Sequence, residues 1–147
     1  MMKVVQINPK EAKSLIDELD EYQASLYPAE SNHLDSLEVL CNENVTMFGV
    51  KEQNQIIAIG AVKMFDNYGE IKRVYVPKRH RNKGLAETIM AVLENSLLKQ
   101  SVKVAKLETG IYQHEAIGLY RKLGYQDCKA FGSYQPDPLS LFMTKKL

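Results

Sequence analysis

The sequence predicts a mixed α/β fold in a single domain over residues 1–147. Helix-like and strand-like segments alternate along the chain, and no repeat, low-complexity stretch or linker divides them. Hydrophobic residues make up 45% and charged residues 25%, the ordinary mixture of a soluble globular protein. A chain of 147 residues also buries roughly two-thirds of its unfolded surface, so its core needs no disulfide or metal.

The N-terminal half is predicted as a strand, two helices and a hairpin. A β-prone run stops at Pro9, and apolar residues then recur every three or four positions until Tyr27 and Pro28 end the helix. Two further β-prone runs, joined by the polar residues 51–54, indicate a hairpin. The elements are strand 2–8, helix 9–26 with Tyr22 facing inward, a shorter helix within 29–44 with Leu34, Leu37 and Leu40 inward, and strands 45–50 and 56–65.

The C-terminal half is predicted as strands alternating with two amphipathic helices. The clearer helix carries an apolar stripe that runs from Leu85 to Leu97. The second helix ends at Gly124, a residue suited to a left-handed C-cap. The elements are strand 70–76, helix 83–98, strand 102–108, helix 114–123, and strands near 125–129 and 139–145.

The composition excludes several classes of protein. With 19 Lys and Arg against 18 Asp and Glu, the net charge of +1 gives no field that would hold nucleic acid or an anionic membrane surface. No apolar run approaches the ~18 residues of a membrane span, and the N-terminus turns acidic where a signal peptide needs an apolar stretch. Two cysteines without metal-ligand spacing predict no metal site, and the expected location is the cytoplasm.

The most informative stretch is a strand ending at Val76, a basic loop, and a helix opened by Gly84. A helix N-terminus presents unpaired N–H groups and a partial positive charge, which suit a phosphate. Gly84 lets an oxygen approach the backbone, and Arg81 and Lys83 add positive charge. The residues alone leave a solvated basic surface loop as an equal alternative, because the loop matches neither a Walker motif nor a dinucleotide fingerprint.

Two motifs resemble those of the GCN5-related N-acetyltransferase (GNAT) superfamily. Residues 81–86, RNKGLA, are similar to its Gln/Arg-x-x-Gly-x-Gly/Ala signature, and residues 116–126, AIGLYRKLGYQ, to its Ala-x-x-Leu-Tyr-x-x-x-Gly-Phe block. The order of elements fits that family over nearly the whole chain. Three segments, residues 27–35, 106–125 and 131–143, resemble small bacterial members whose acceptors are unassigned. The resemblance implies a GNAT fold, with a mixed, mostly antiparallel sheet of about seven strands flanked by about four helices.

In that family the signature loop binds the pyrophosphate of acetyl-coenzyme A (acetyl-CoA). The resemblance therefore implies direct transfer of an acetyl group, in a ternary complex, to the primary amine of a small-molecule or amino-acid-like acceptor. Backbone N–H groups of a bulged strand are expected to polarise the thioester carbonyl. The implied cofactor-binding residues are Val74, Tyr75, Val76, Arg81, Asn82, Lys83, Gly84, Leu85, Ala86 and Gln113.

Glu70 and Tyr120 are the candidate catalytic residues. An alkylammonium has a pKa near ~10.4, so the acceptor must lose a proton before it attacks. Glu70 lies 81 − 70 = 11 positions before Arg81, the spacing of the general-base glutamate in histone-type members; a strand-end glutamate facing solvent is the alternative. Tyr120 belongs to the Leu-Tyr block, where a phenol can protonate a thiolate; a core tyrosine with a satisfied hydroxyl is the alternative.

Polar residues at the ends of other elements are expected to bind the acceptor. Lys72 shares a strand face with Glu70 unless a bulge breaks the alternation, and would pair with Glu70 or with an acceptor carboxylate. Ordinary loop or cap roles are the alternative, with Ser31 or Asn32 capping the second helix. The expected acceptor-binding residues are Tyr27, Glu30, Ser31, Lys72, Thr109 and Tyr134.

Two other functions remain open at this point. One is a protein or peptide N-acetyltransferase, which needs an open groove in place of a closed pocket. The other is a non-enzymatic acyl-CoA-binding regulatory module. No nucleic-acid or membrane partner is expected from the charge and hydropathy of the chain, and a homodimer is left open.

Overall fold

The computed structural model describes residues 1–147 and shows seven strands and four α-helices, which confirms the predicted fold class. Short 3₁₀ turns cover Pro9–Ala12, Ala29–Ser31 and Lys78–His80. The strands are β1 (Met2–Ile7), β2 (Val45–Glu52), β3 (Gln55–Met64), β4 (Gly69–Tyr75), β5 (Val104–Gly110), β6 (Gln126–Cys128) and β7 (Ser140–Lys146). The helices are α1 (Lys13–Leu26), α2 (Leu37–Leu40), α3 (Leu85–Lys99) and α4 (His114–Lys122).

The seven strands form one mixed sheet in the order β1-β2-β3-β4-β5-β7-β6. Every neighbouring pair is antiparallel except β4 and β5, which are parallel. That parallel pairing joins only Gly69–Ile71 to Ala105–Leu107. Beyond these residues β4 and β5 no longer pair with each other, so their C-terminal ends leave a gap in the middle of the sheet.

Strand β4 contains a bulge. Between the pairs Ala61↔Lys72 and Ile59↔Tyr75, β3 advances by two residues and β4 by three. Arg73, inside the longer segment, has a φ of 56°, a left-handed conformation that is uncommon for a residue other than glycine. The strand alternation therefore runs undisturbed through Lys72 and is interrupted only after it.

The hydrophobic core lies on both faces of the sheet. On one face α3 packs its buried residues against the central strands, and on the other face α1 and α2 do so. The first group includes Val62, Ile71, Leu85, Ile89, Leu93 and Leu97. The second includes Leu15, Ile16, Leu40, Met47 and Ile59. None of the helices combines the length and the hydropathy that crossing a bilayer requires.

The structure corrects several predicted elements in the N-terminal half. The predicted helix 9–26 starts as a 3₁₀ turn, because Asn8 and Glu11 form a capping box, and α1 begins only at Lys13. The second helix is one turn long, excludes Leu34, and is capped by Ser36, so the capping roles given to Ser31 and Asn32 were wrong. Tyr22 is 38% exposed and was wrongly assigned to the inward face of α1.

The hairpin turn is also shorter than predicted. Lys51 and Glu52 belong to β2, and only Gln53 and Asn54 connect it to β3. Both residues have positive φ, 51° and 64°, which is the geometry of a two-residue turn that suits the strand twist.

Candidate active site

A cleft of about 590 Å³ lies at the C-terminal ends of β4 and β5. The end of β4 and the loop after it form one wall, and the segment leading into α4 forms another. Leu19 and Tyr22 of α1 also line the cleft. Nine of the ten predicted cofactor-binding residues line it; the exception is Lys83, which is exposed in the same loop.

The loop before α3 supplies backbone donors to this cleft. None of the N–H groups from Asn82 to Glu87 donates a hydrogen bond within the chain, and the first to do so is Thr88 N, to Gly84 O at 3.1 Å. Arg81 Nε donates to Val76 O at 3.0 Å, which ties the loop to the end of β4. Unpaired N–H groups at a helix N-terminus favour an anion, so this loop has the chemistry to bind a diphosphate.

Gly84 fits that role because of its backbone conformation. Its φ is 72°, which a residue with a side chain adopts only with strain. A Cβ atom built at this position would meet nothing within 4 Å, so the space above the glycine is open. Gly84 therefore permits the turn and leaves room for a ligand oxygen.

Tyr120 of α4 is buried and lines the cleft. Its ring contacts that of Tyr125 edge-on, at 6.0 Å between centroids. Burial raises the pKa of Tyr120 to about 12, and no hydrogen bond to its hydroxyl contributes to that shift. Tyr120 therefore packs in the core, as the alternative interpretation expects, but no hydrogen bond within the chain satisfies its hydroxyl.

Gln113 and Tyr27 both hold the turn between β5 and α4. Gln113 Oε1 accepts a hydrogen bond from Gly110 N at 3.0 Å. The Tyr27 hydroxyl accepts one from Tyr112 N at 3.1 Å, and the two tyrosine rings stack at 5.5 Å. A Cβ atom at Gly110 would lie 1.8 Å from the Tyr27 hydroxyl oxygen, so Tyr27 fills the space that a side chain there would need.

A second group of polar side chains, which we call the polar cluster, consists of His33, Asp35, Glu70, Lys72, Glu108 and Tyr134. Glu70 accepts from the Tyr134 hydroxyl at 2.6 Å and from Lys72 Nζ at 3.1 Å. Lys72 also contacts Asp35 Oδ2 at 3.0 Å and donates to the Tyr134 hydroxyl at 3.2 Å. The side chains of Glu70 and Lys72 are only 6% and 8% exposed. Glu70 therefore does not face solvent, and the alternative of an exposed strand-end glutamate was wrong.

The other half of the polar cluster centres on His33. Its Nδ1 contacts Glu108 Oε2, which also accepts from the Ser140 hydroxyl at 2.8 Å. Its Nε2 lies 3.7 Å from Asp137 Oδ2. Burial disfavours the protonated ring, but the hydrogen bond to Glu108 and the charges of Glu108 and Asp137 raise the pKa of His33 overall. Burial, followed by the neighbouring Glu70, raises the pKa of Tyr134.

The predicted acceptor-binding residues fall into three groups. Lys72 and Tyr134 meet Glu70 in the polar cluster, and Ser31 lies beside Asp137, whose pKa it helps to lower. Tyr27 and Thr109 are buried outside the cluster. Glu30 is exposed, and no side-chain contact joins it to the cluster.

His33, Asp35 and Glu108 were missed as site residues by sequence reasoning. A signal existed for Glu108, because it lies two residues after Lys106 and therefore on the same face of β5. Lys106 is the register partner of Glu70. The loop that carries His33 and Asp35 has no periodicity to place its side chains. Together with Asp137, the cluster sets four carboxylates against one ammonium and one imidazole, so it can attract a cationic group.

Curated relatives of the chain are acetyltransferases. The family model of the acetyltransferase (GNAT) family matches residues 12–125. The chain is 39% identical over 135 residues to the IAA acetyltransferase of Azospirillum brasilense, which covers 90% of this chain and 88% of that protein. It is 32% identical over 149 residues to the N-acetyltransferase YsnE of Bacillus subtilis, with 99% of each chain covered.

Solved structures share the fold. A Klebsiella pneumoniae chain whose name places it among acyl-CoA N-acyltransferases is 36% identical, with a TM-score of 0.85 and coverage of 100% of this chain and 98% of that one. The PaiA N-acetyltransferase of Thermoplasma acidophilum, solved in complex with coenzyme A, gives a TM-score of 0.76 at 15% identity, with coverage of 100% and 99%. The likeness at 15% identity concerns the fold alone. The chain therefore belongs to the GNAT family of acetyltransferases, enzymes that transfer an acetyl group from acetyl-CoA to an acceptor.

Proposed function

We propose that the protein transfers the acetyl group directly to the primary amine of a small-molecule or amino-acid-like acceptor, within a ternary complex. The observation that carries the proposal is the position of two sites on one strand. Strand β4 contributes Val74 and Tyr75 to the cleft and, a few residues earlier, Glu70 and Lys72 to the polar cluster. Two substrates bound at these sites would lie next to each other.

The residues of the cleft fit acetyl-CoA. Six consecutive backbone N–H groups without partners, the open space above Gly84 and the charge of Arg81 suit its diphosphate. Strand β4 pairs with β5 only as far as Ile71, so backbone groups of residues 74–76 on that side are available to the pantetheine arm and to the carbonyl. When bound, acetyl-CoA supplies an acetyl thioester, which an amine attacks.

Two side chains are assigned to proton transfer. Glu70 takes the acceptor proton, directly or through a water, with the charge of Lys72 3.1 Å from its carboxylate. Tyr120 provides a proton for the departing sulfur, because its hydroxyl is at the cleft and bonds to no carboxylate. Both groups act by general acid–base catalysis and need no covalent intermediate on the protein.

The polar cluster supports an acceptor that carries a positive charge. Its four carboxylates, counted with Asp137, exceed its two basic groups, so an ammonium is attracted before it is deprotonated. Family membership favours an enzyme over a non-enzymatic acyl-CoA-binding module. We assign the reaction to the cytoplasm, where both thiols stay reduced.

The test is acceptor profiling with purified protein. Coenzyme A release is followed with a thiol reagent while small amines, amino acids and peptides are offered with acetyl-CoA. We expect release with a subset of small amines and a loss of release in the Tyr120→Phe variant. Activity with peptides alone would favour the protein N-acetyltransferase, and coenzyme A binding without release for any amine would favour the non-enzymatic module.

A further inference from the structure

Arg73 is the most unusual residue of β4. Its backbone lies in the left-handed region, with φ at 56°, at the bulge that separates the polar cluster from the cleft. Its side chain is only 3% exposed, although it carries a full positive charge. A strained backbone and a buried charge at one residue are maintained only where the surroundings hold both in place.

The guanidinium of Arg73 connects three parts of the chain. Nη1 contacts Asp20 Oδ1 on α1, and Nη2 donates to the backbone oxygen of Asp35 at 2.6 Å. The buried Nε has no hydrogen-bond partner. The carboxylate of Asp35 meets Lys72 at 3.0 Å, so the loop held by Arg73 is also part of the polar cluster.

We propose that Arg73 is a positioning residue for acetyl transfer, whose guanidinium fixes the bulge of β4 relative to α1 and to the loop that carries His33 and Asp35. The inference rests on the proposed function. Residue 72 belongs to the polar cluster and residues 74–76 line the cleft, so any displacement of Arg73 moves one site relative to the other. The amine and the thioester carbonyl would then meet in the wrong geometry, although each substrate still binds.

The test uses substitutions that separate the guanidinium from the backbone strain. Arg73→Gly keeps the bulge, because glycine adopts positive φ freely, but removes the guanidinium. Asp20→Asn removes the charged partner on α1, where the Asp20 side chain is 44% exposed and tolerant of change. Asp17→Asn is the matched control on the same helix, because Asp17 is 56% exposed and pairs only with Lys13.

We expect kcat to fall about tenfold in Asp20→Asn and about a hundredfold in Arg73→Gly, with coenzyme A affinity by calorimetry within about twofold of wild type. The double variant should be no slower than Arg73→Gly, because both changes act through one contact. Hydrogen exchange of the paired backbone amides of β3 and β4 on both sides of the bulge, measured by NMR, should accelerate in both variants. Asp17→Asn should match wild type in all three measurements.

Two results would overturn the inference. One is wild-type kcat in both Asp20→Asn and Arg73→Gly, and the other is a loss of coenzyme A affinity that accounts for the whole loss of rate. The proposed function fails separately, because then wild type itself would release no coenzyme A with any amine. If Arg73→Gly is unfolded by thermal melting, Asp20→Asn carries the decision alone.

Discussion

A negative charge introduced at position 84 tests whether the loop before α3 binds a diphosphate. Gly84→Asp places a carboxylate at the open start of α3, whereas Gly84→Asn places a neutral group of nearly the same shape there. Both side chains have room, since a Cβ atom at this position meets nothing within 4 Å. Both also tolerate positive φ better than most residues, so the backbone cost, about 1 kcal/mol, is shared and cancels in the comparison.

The remaining difference is electrostatic and can be calculated. For about 6 Å between the added carboxylate and each of two diphosphate charges, Coulomb's law gives about 0.7 kcal/mol per charge in water and about 2.8 kcal/mol at an effective dielectric constant of 20. The loss in binding free energy is then about 1.4 to 5.5 kcal/mol for the two charges, which is at least about tenfold in Kd.

The assay is calorimetric titration of each variant with coenzyme A, with thermal unfolding as a check on folding. We expect both variants to bind coenzyme A more weakly than wild type, because either side chain enters the space left for a ligand oxygen, and Gly84→Asp to bind at least about tenfold more weakly than Gly84→Asn. Added salt should narrow the gap, because it screens exposed charges. Equal affinity of the Asp and Asn variants would refute the placement of the diphosphate at this loop.

Three further predictions concern individual side chains. Tyr120→Phe should lower kcat about a hundredfold and leave coenzyme A affinity unchanged; because burial raises the pKa of Tyr120 to about 12, its acid form should persist across the alkaline pH range, and a fully active Phe variant would exclude this role. Tyr134→Phe removes the hydrogen bond to Glu70 and should raise the acceptor KM about tenfold with the acetyl-CoA KM unchanged; an unchanged acceptor KM would contradict this. The raised pKa of His33 means that its pairing with Glu108 stabilises the fold fully below the unfolded pKa of about 6.5 and is lost as pH rises through the higher folded value. The difference in urea unfolding free energy between wild type and His33→Gln should therefore shrink from pH 6 upward, and a pH-independent difference would refute the pairing.

The sequence could predict those parts of the structure that depend on residues close together in the chain. Helix α3 and the loop before it were predicted because the apolar stripe from Leu85 to Leu97 has a clear period and Gly84 precedes it directly. The residues predicted to bind the cofactor, 74–76 and 81–86, lie within one short stretch of the chain, and all of them except Lys83 line the cleft. That residues 1–147 form one domain stays a prediction, because the family model matches only residues 12–125.

The polar cluster was harder to predict because its contacts join residues that are distant in the sequence. His33 meets Glu108 across 75 positions, and Glu70 meets Tyr134 across 64. Nothing periodic marks the loop with His33 and Asp35, and the buried hydrogen bonds of Glu70 depend on how that loop and the loop after β6 fold onto the sheet. The roles of Glu70, Tyr120 and the other site residues stay predictions.

The division of the polar cluster between loops and strands has a consequence for divergence among related enzymes. Within the polar cluster, His33 and Asp35 come from the loop after α1, and Tyr134 comes from the loop between β6 and β7. The neighbouring Ser31 and Asp137 lie in the same two segments. The contacts that these loops make to the polar cluster are ionic and polar side-chain contacts, outside the ladder of backbone hydrogen bonds of the sheet. If the polar cluster binds the acceptor, as proposed, substitutions in these loops can change which acceptor is recognised without altering the residues of the cleft.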